Sequence, residues 1–296
     1  MSGRKPAELA FATEADISRT RRLPVPGEVL VKEGDTLAAD TVVARAQVPG
    51  YPVDVKVAFR LGVEPQDTPG YMLKGVGERL AAGEPLARRK ILLGLSEELV
   101  VAPVSGTIES VSDLTGVVIL RTAPVLVERV AYVPGRVIRV LPSEGCVVES
   151  RGTLLQGLFG VGGETFGPIC VPVAGPDQVL EADQITRDMK GAVLVAGKVR
   201  NRSTLYKARD AGVQALVTGS IDDEELAGFL GREIGLAITG QEQAGLTIIV
   251  TDGFGDMPMS AGTFAVLQQL EGLTASVNGT THIRAEALRP EIFVAR

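Results

Sequence analysis

The sequence contains few of the residues on which most catalytic centres and metal sites depend. It has no tryptophan, one histidine (His282) and two cysteines (Cys146 and Cys170). Two cysteines are too few for a disulfide framework or a cysteine-based zinc site, and we expect both to be small buried hydrophobic residues. A single histidine excludes most histidine-based metal sites and the histidine-dependent catalytic triads. We therefore expect His282 to have a structural role.

The charged residues are not concentrated in a way that nucleic acid binding would need. The net charge is −6, and the 30 basic residues are scattered among 36 acidic ones, so we expect no nucleic acid partner. No run approaches the ~18 apolar residues of a membrane helix, and the first residues lack the apolar core of a signal peptide. The sequence therefore predicts a cytoplasmic protein with no membrane partner.

Glycine, proline and valine are abundant instead. The chain has 35 glycines and 17 prolines, and 45% of its residues are hydrophobic. This composition favours many short strands and tight turns over long helices. No iron–sulfur, flavin or nicotinamide fingerprint is present, so we expect no cofactor.

A near-repeat marks the N-terminal half. The segment GDTLAADTVVAR at residues 34–45 aligns without gaps with GERLAAGEPLAR at residues 77–88. Two copies are too few for a solenoid. The repeat instead predicts a pseudo-symmetric β domain in which each copy forms a strand, a turn and a strand.

The second copy is followed by the motif Ala-Pro-x-x-Gly-Thr-Ile at residues 102–108. Together these segments resemble the biotinyl and lipoyl carrier domains over residues 77–120. That resemblance implies a barrel-sandwich hybrid fold with a modified lysine at the tip of a hairpin. Here Leu95 stands where the lysine is expected, within LLGLS at residues 92–96. The resemblance therefore implies the fold without the carrier chemistry.

The hairpin tip is apolar, which suggests a different use. Exposing Leu92, Leu93 and Leu95 to water would cost about 25 cal/mol per Å², so we expect these three residues to contact another domain or a partner subunit. Lys90 and Lys74 are the nearest lysines. A true carrier attached through either of them is a further alternative.

The pattern of strand, turn and helix signals changes after residue 128. Residues 129–175 predict a β-hairpin, from alternation at 136–141 and 146–149, and a glycine-rich linker at 157–167 that does not match a phosphate-binding loop. Residues 176–296 alternate strands and helices and end in a hairpin at Asn278-Gly279; they distantly resemble swivelling α/β domains. The fold class is therefore α+β and multidomain: a barrel-sandwich hybrid over residues 20–128, the β linker region, and a mixed α/β domain over residues 176–296.

Four predicted strands of the last domain end in small or polar residues. The carboxyl ends of parallel strands gather at one edge of a sheet, where ligands bind. Hydroxyls, glycine amides and a helix beginning at Ser220 could together hold a carboxylate or a phosphate. The predicted ligand-binding residues are Lys198, Thr218, Gly219, Ser220, Thr239, Gly240, Thr251, Asp252 and Gly253. The same residues are equally explained as ordinary strand ends.

These observations favour a non-catalytic accessory or scaffold protein of a multi-subunit metabolic or electron-transfer system. An unmodified lipoyl-like domain would make its protein contacts, with a partner protein or a second copy of the chain. The alternative is a protein or enzyme that binds a small carboxylate or phosphate at the strand ends. No catalytic residue or metal ligand is predicted, and whether the protein is an enzyme stays open.

Overall fold

The computed structural model describes residues 11–91, 96–231, 244–281 and 289–296. Strands account for 47% of the described residues and helices for 17%. The protein is therefore mostly β, as the abundance of glycine, proline and valine predicts. The predicted tip residues Leu92, Leu93 and Leu95, the strand-end residues Thr239 and Gly240, and His282 all lie outside the described residues.

Twenty strands and five α-helices are described. The strands are β1 (Phe11–Arg22), β2 (Glu28–Val29), β3 (Thr36–Leu37), β4 (Val42–Val48), β5 (Pro52–Lys56), β6 (Arg79–Leu80), β7 (Pro85–Ile91), β8 (Ser96–Val101), β9 (Gly106–Val111), β10 (Val117–Arg121), β11 (Val125–Val130), β12 (Gly135–Leu141), β13 (Gly145–Gln156), β14 (Phe159–Val161), β15 (Glu164–Cys170), β16 (Val193–Val199), β17 (Ala215–Ile221), β18 (Thr247–Phe254), β19 (Thr274–Asn278) and β20 (Glu291–Ala295). The helices are α1 (Val57–Leu61), α2 (Thr68–Tyr71), α3 (Arg202–Asp210), α4 (Asp223–Leu230) and α5 (Ala261–Gln269). Short 3₁₀ helices cover Pro65–Asp67, Ala182–Gln184 and Arg187–Met189.

The chain divides into two compact units. The larger unit contains Met1–Arg22, Val29–Ala44 and Arg129–Arg296, and the smaller one contains Leu23–Glu28 and Arg45–Glu128. The smaller unit runs to Glu128, but Val29–Ala44, which the prediction places in the same domain, belongs to the larger unit. The segments 129–175 and 176–296, which the sequence separates, both fall in the larger unit.

The larger unit is organised on an eleven-stranded sheet. Its order is β14-β18-β17-β16-β15-β19-β20-β13-β12-β3, and β1 pairs with β13. Strands β15 to β18 run parallel to one another, with Val195, Val217 and Ile249 aligned across β16, β17 and β18. All seven residues of β17 are buried. β16 and β18 are likewise mostly buried, which explains why β16, β17 and β18 contain continuous apolar runs rather than alternating ones.

The helices of the larger unit begin at capping residues. Ser260 caps α5, because its hydroxyl accepts a hydrogen bond from Thr263 N at 3.4 Å, as the sequence predicts. Helix α4 is capped by Asp222, which accepts from Glu224 N at 3.0 Å. The prediction that Ser220 caps this helix is wrong, since β17 continues through Ile221 and Ser220 lies within the strand.

The sequence predicts two hairpins in this unit, one over residues 136–149 and one at Asn278-Gly279. The structure describes at least one strand of each. β12 and β13 form an antiparallel pair that turns between Leu141 and Gly145, which confirms the first. β19 occupies the first arm of the second, but it pairs with β15 and β20. Most of that hairpin's second arm lies in residues 282–288, outside the described part of the chain.

The smaller unit has a four-stranded sheet of order β5-β10-β9-β6 and a separate hairpin of β7 and β8. Strands β11, β4 and β2 form a further sheet, in that order. The core of the smaller unit is a cluster that includes Leu61, Leu86, Ile108, Val118 and Leu120. These side chains are 0–1% exposed, so the smaller unit has a hydrophobic core of its own.

The two copies of the near-repeat have the same local structure. Gly34 and Gly77 adopt left-handed φ angles of 95° and 90°, which glycine tolerates without strain. The amide of Gly34 donates to Val137 O, and that of Gly77 donates to Ile108 O, both at 2.8 Å. Each copy therefore pairs its short first strand in the same way, β3 with β12 and β6 with β9.

The duplication extends beyond the aligned segments. Gly106 of the Ala-Pro-x-x-Gly motif is paired with Leu80, and Gly135 is paired with Leu37 at the corresponding place. A Cβ on Gly135 would lie 2.1 Å from a backbone oxygen of the next strand, and one on Gly106 would lie 2.6 Å from such an oxygen. Both positions therefore need glycine, because the neighbouring backbone passes too close for any side chain.

Candidate functional site

The predicted strand-end residues lie together at one edge of the parallel strands. β16, β17 and β18 end side by side, with Lys198, Ser220 and Gly253 in register. Seven of the nine predicted residues belong to the described part of the chain. They are Lys198, Thr218, Gly219, Ser220, Thr251, Asp252 and Gly253.

The hydroxyl groups at this edge are bonded to the protein itself. Thr218 Oγ1 donates to Ser220 O at 2.9 Å. Ser220 Oγ donates to Met257 O at 2.5 Å and accepts from Met257 N at 3.1 Å. Thr251 Oγ1 donates to Asp252 Oδ2 at 2.7 Å. These three hydroxyl groups, which the sequence predicts as ligand contacts, are therefore bonded to neighbouring residues.

The segment that contains Met257 and Met259 also covers the glycines of this edge. A Cβ on Gly219 would lie 2.3 Å from Met259 N, and one on Gly253 would lie 2.3 Å from Met257 Cε. Asp252 Oδ2 accepts from Ser260 N at 3.1 Å, which holds the start of α5 against the strand ends. The glycines thus admit the protein's own chain at the place where the sequence predicts a ligand.

The cations at the strand ends share one carboxylate. Lys198 Nζ lies 2.9 Å from Asp256 Oδ1, and Arg200 Nη2 lies 2.8 Å from Asp256 Oδ2. The hydrogen bond from Lys198, followed by that from Arg200, lowers the pKa of Asp256 below its ordinary value. The Lys198 side chain is only 13% exposed, so Asp256 rather than water is the main partner of its ammonium group.

Of the two lysines closest to the predicted attachment position, one lies within a strand and the other forms an ion pair. Lys90 lies in β7, opposite Glu97 of β8. Lys74 Nζ lies 2.5 Å from Glu84 Oε1 and donates to Arg79 O at 2.8 Å. The hydrogen bond from Lys74 lowers the pKa of Glu84. Lys74 is therefore engaged at the base of the repeat rather than presented at a hairpin tip.

Exposed apolar side chains are concentrated in the smaller unit. It has less than a third of the residues but holds nine of the sixteen large hydrophobic side chains that are exposed in the described part of the chain. Leu99 and Val101 are 52% and 41% exposed and lie on the same face of β8. Leu73, 41% exposed, and Val76, 63% exposed, lie in the segment that pairs with β7 through Leu73 N.

Part of this region is concave. A depression of about 440 Å³ is lined by Leu73, Val76 and neighbouring residues. The other lining residues are Pro69, Met72, Lys74, Gly75, Glu78 and Val111. We call Leu73, Val76, Leu99 and Val101 the apolar surface of the smaller unit. The sequence predicts apolar contact residues at the hairpin tip; Leu99 and Val101 lie in β8, which follows it, and Leu73 is hydrogen-bonded to β7, which precedes it.

The larger unit contains a partly buried polar network that the sequence does not reveal. Arg21, whose side chain is 7% exposed, makes two hydrogen bonds to Glu164, at 2.7 and 2.5 Å. Its guanidinium also lies over the ring of Tyr132. Tyr132 Oη donates to Glu291 Oε1 at 3.2 Å, and Glu291 is paired with Arg19. These five residues are distant in sequence, and no local pattern brings them together.

Burial perturbs the protonation of this network. It raises the pKa of Tyr132 well above its ordinary value, and the negative charge of Glu291 raises it further. Burial likewise raises the pKa of Cys146 and of Cys170. A raised pKa keeps a thiol in its unreactive protonated form. Both cysteines are therefore poor nucleophiles, and Tyr132 stays neutral within the fold.

Among the described residues, no cluster of three His, Cys, Asp or Glu side chains is placed to hold a metal ion. No helix within the described residues has the length and apolar character to cross a membrane. Comparisons with protein-family models, with curated proteins and with solved structures found no match to this chain.

Proposed function

We propose that the protein is a non-catalytic accessory or scaffold subunit that binds a partner protein through the apolar surface of its smaller unit. The main support for this proposal is that Leu73, Val76, Leu99 and Val101 are exposed to solvent. Burying exposed apolar area against a partner contributes about 25 cal/mol per Å². Apolar side chains gathered on one part of a surface are typical of contact sites.

The resemblance to carrier domains supports contact rather than chemistry. Leu95 stands at the position of the carrier lysine, and Lys74 is held in an ion pair with Glu84. A lipoyl-like domain without an attached cofactor retains a docking surface as its means of action. Since carrier domains serve multi-enzyme assemblies, we propose a metabolic or electron-transfer complex as the setting.

Quantitative affinity capture of the full chain from its own cells tests this proposal. We expect one partner to be captured in constant stoichiometry by the wild type and lost with the double variant Leu99→Glu/Val101→Glu. The control is Leu273→Glu, because Leu273 is equally exposed but belongs to the larger unit; it should retain the partner. A partner that is retained by the double variant, or a strictly monomeric native mass in extracts, contradicts the proposal.

The carrier alternative makes a separate prediction. After co-expression with a biotin or lipoyl ligase, we expect the intact mass to equal the mass of the unmodified sequence. A mass increase that disappears with Lys90→Arg or Lys74→Arg would show covalent attachment and would replace the scaffold proposal.

The alternative of a ligand at the strand ends has less support, because the hydroxyls of Thr218, Ser220 and Thr251 are bonded internally. It predicts that a small carboxylate or phosphate raises the melting temperature. The effect would be lost in Lys198→Ala and Asp252→Ala. Stabilisation that survives both substitutions would place the ligand elsewhere.

A further inference from the structure

A second and larger cavity of the smaller unit has no role in the proposed protein contact. It measures about 610 Å³ and lies at one end of the sheet β5-β10-β9-β6. Its volume falls within the range of roughly 300–1,000 Å³ that is usual for small-molecule sites. The residues that line this cavity include Pro49, Arg79, Thr107, Glu109, Arg121 and Pro124.

The walls of this cavity are built by the motif that resembles carrier domains. Gly106 and Thr107 belong to the Ala-Pro-x-x-Gly-Thr segment, and Arg79 belongs to the second copy of the near-repeat. A Cβ on Gly50 would lie 1.9 Å from Thr122 O, so glycine is required for the chain after β4 to approach the end of β10. Close backbone approaches at Gly50 and at Gly106 of the motif therefore shape this end of the sheet.

Two arginines flank a threonine across three adjacent strands. Arg79 of β6 is the pairing partner of Thr107 of β9, and Thr107 is also the pairing partner of Arg121 of β10. Residues that are directly paired in a sheet place their side chains on the same face, with Cβ atoms about 5 Å apart. Two guanidinium groups and one hydroxyl therefore lie in a row on the cavity side of the sheet.

The charges of this row do not cancel. Arg121 Nε and Nη2 donate to the carboxylate of Glu109 at 2.9 and 2.8 Å, and Nη1 donates to Gly50 O at 2.7 Å. A guanidinium has five N–H donors, so two remain on Arg121. No ion pair is formed by Arg79 within the described residues. With Glu109 balancing Arg121, the cavity retains one unbalanced positive charge.

The duplicated half of the fold provides an internal comparison. The corresponding row in the larger unit is Thr36, Arg136 and Glu149 on β3, β12 and β13. There a single arginine lies beside a carboxylate, so the charges balance. The excess of positive charge therefore belongs to the copy that forms the cavity, although both copies share the same strand pairing.

We propose that this cavity binds a small organic monocarboxylate. Arg79, Thr107 and the free donors of Arg121 hold the carboxylate, and Ala123 and Pro124 contact the apolar body of the ligand. The planar guanidinium matches the two oxygens of a carboxylate. One negative charge balances the row, and the apolar wall favours an organic acid over inorganic phosphate.

Isothermal titration of the full chain with naphthylacetate tests this assignment. Naphthylacetamide, which has the same ring system without the charge, and inorganic phosphate are the comparison ligands. We expect naphthylacetate to bind in the millimolar range or tighter and naphthylacetamide to bind about tenfold more weakly, because the charge-assisted hydrogen bonds are lost. Arg79→Gln should weaken naphthylacetate binding about tenfold for the same reason.

Arg136→Gln is the matched control, because it removes the arginine of the corresponding row in the larger unit. It should leave the affinity for naphthylacetate unchanged. Equal affinity of the wild type and Arg79→Gln, or equal affinity for the acid and the amide, overturns the assignment. Phosphate that binds as tightly as naphthylacetate also overturns it. None of these variants alters the apolar surface, so the outcome is independent of the scaffold proposal.

Discussion

The larger unit holds the buried Arg21 in a network of paired charges, whereas the smaller unit leaves apolar side chains exposed to water. Arg21 and Tyr132 lie inside a network that includes Glu164 and Glu291. Leu99 and Val101 lie on the outer face of a hairpin. The large mixed sheet can enclose Arg21 and Tyr132 because residues of β15 and β20 provide their hydrogen-bond partners. The small β domain has a compact core, and its remaining apolar groups are available for contact.

The largest expected effect concerns the core of the larger unit. Leu194 is completely buried among the parallel strands, so Leu194→Ala should lower the free energy of unfolding by about 3 kcal/mol. Leu114 of the smaller unit is highly exposed, and Leu114→Ala should have almost no effect. Urea denaturation measures both. Equal effects of the two substitutions would contradict the assigned burial.

The buried ion pair should give the next largest effect. Glu164→Gln leaves Arg21 buried without its counter-charge, and we expect a loss of about 2 kcal/mol, less than for a completely buried pair because Glu164 is partly exposed. Glu14→Gln removes an exposed partner of Arg151 and should be close to neutral. If both changes are neutral in urea denaturation, the network does not stabilise the larger unit.

The pKa of Tyr132 predicts a loss of stability at alkaline pH. The folded protein keeps Tyr132 protonated, whereas the unfolded chain ionises it near pH 10. The stability that protonated Tyr132 contributes is therefore fully present below about pH 10. Above that pH the free energy of unfolding falls by about 1.4 kcal/mol per pH unit for one proton. Urea denaturation from neutral to alkaline pH should show a shallower decline for Tyr132→Phe. The exposed Tyr51 provides the control, and Tyr51→Phe should decline like the wild type.

The smallest effect on stability should come from the apolar surface. Leu99→Glu replaces an exposed side chain, and the change in unfolding free energy should be within about 0.5 kcal/mol. A larger loss in urea denaturation would mean that Leu99 packs within its own unit. It would then be unavailable to a partner.

Local patterns predicted those elements whose residues interact with near neighbours. The apolar runs of β16, β17 and β18 and the cap at Ser260 are examples. The polar network was not predictable, because Arg21 and Glu164 are 143 residues apart and Arg19 and Glu291 are 272 apart. Ser220 resembles a helix cap in sequence, and only the pairing of β17 with its neighbours extends the strand past it.

The strand-end residues illustrate the same limit at the level of function. Their position at one edge followed from the alternation of strands and helices. Their hydrogen bonds to Met257 and Ser260 did not, because these depend on how residues 255–260 fold back. The cavity beside Arg79 and Thr107 could have been suggested by the Ala-Pro-x-x-Gly-Thr motif. Its second arginine, Arg121, was not predictable, because only strand pairing brings Arg121 beside Thr107.

Carbene footprinting of the full chain, compared between the purified protein and cell extract, tests the scaffold account most directly. We predict that labelling of Leu73, Leu99 and Val101 falls in the extract, which would contain the proposed partner, while labelling of Leu273 is unchanged. Equal labelling of the apolar surface in both samples would contradict the account.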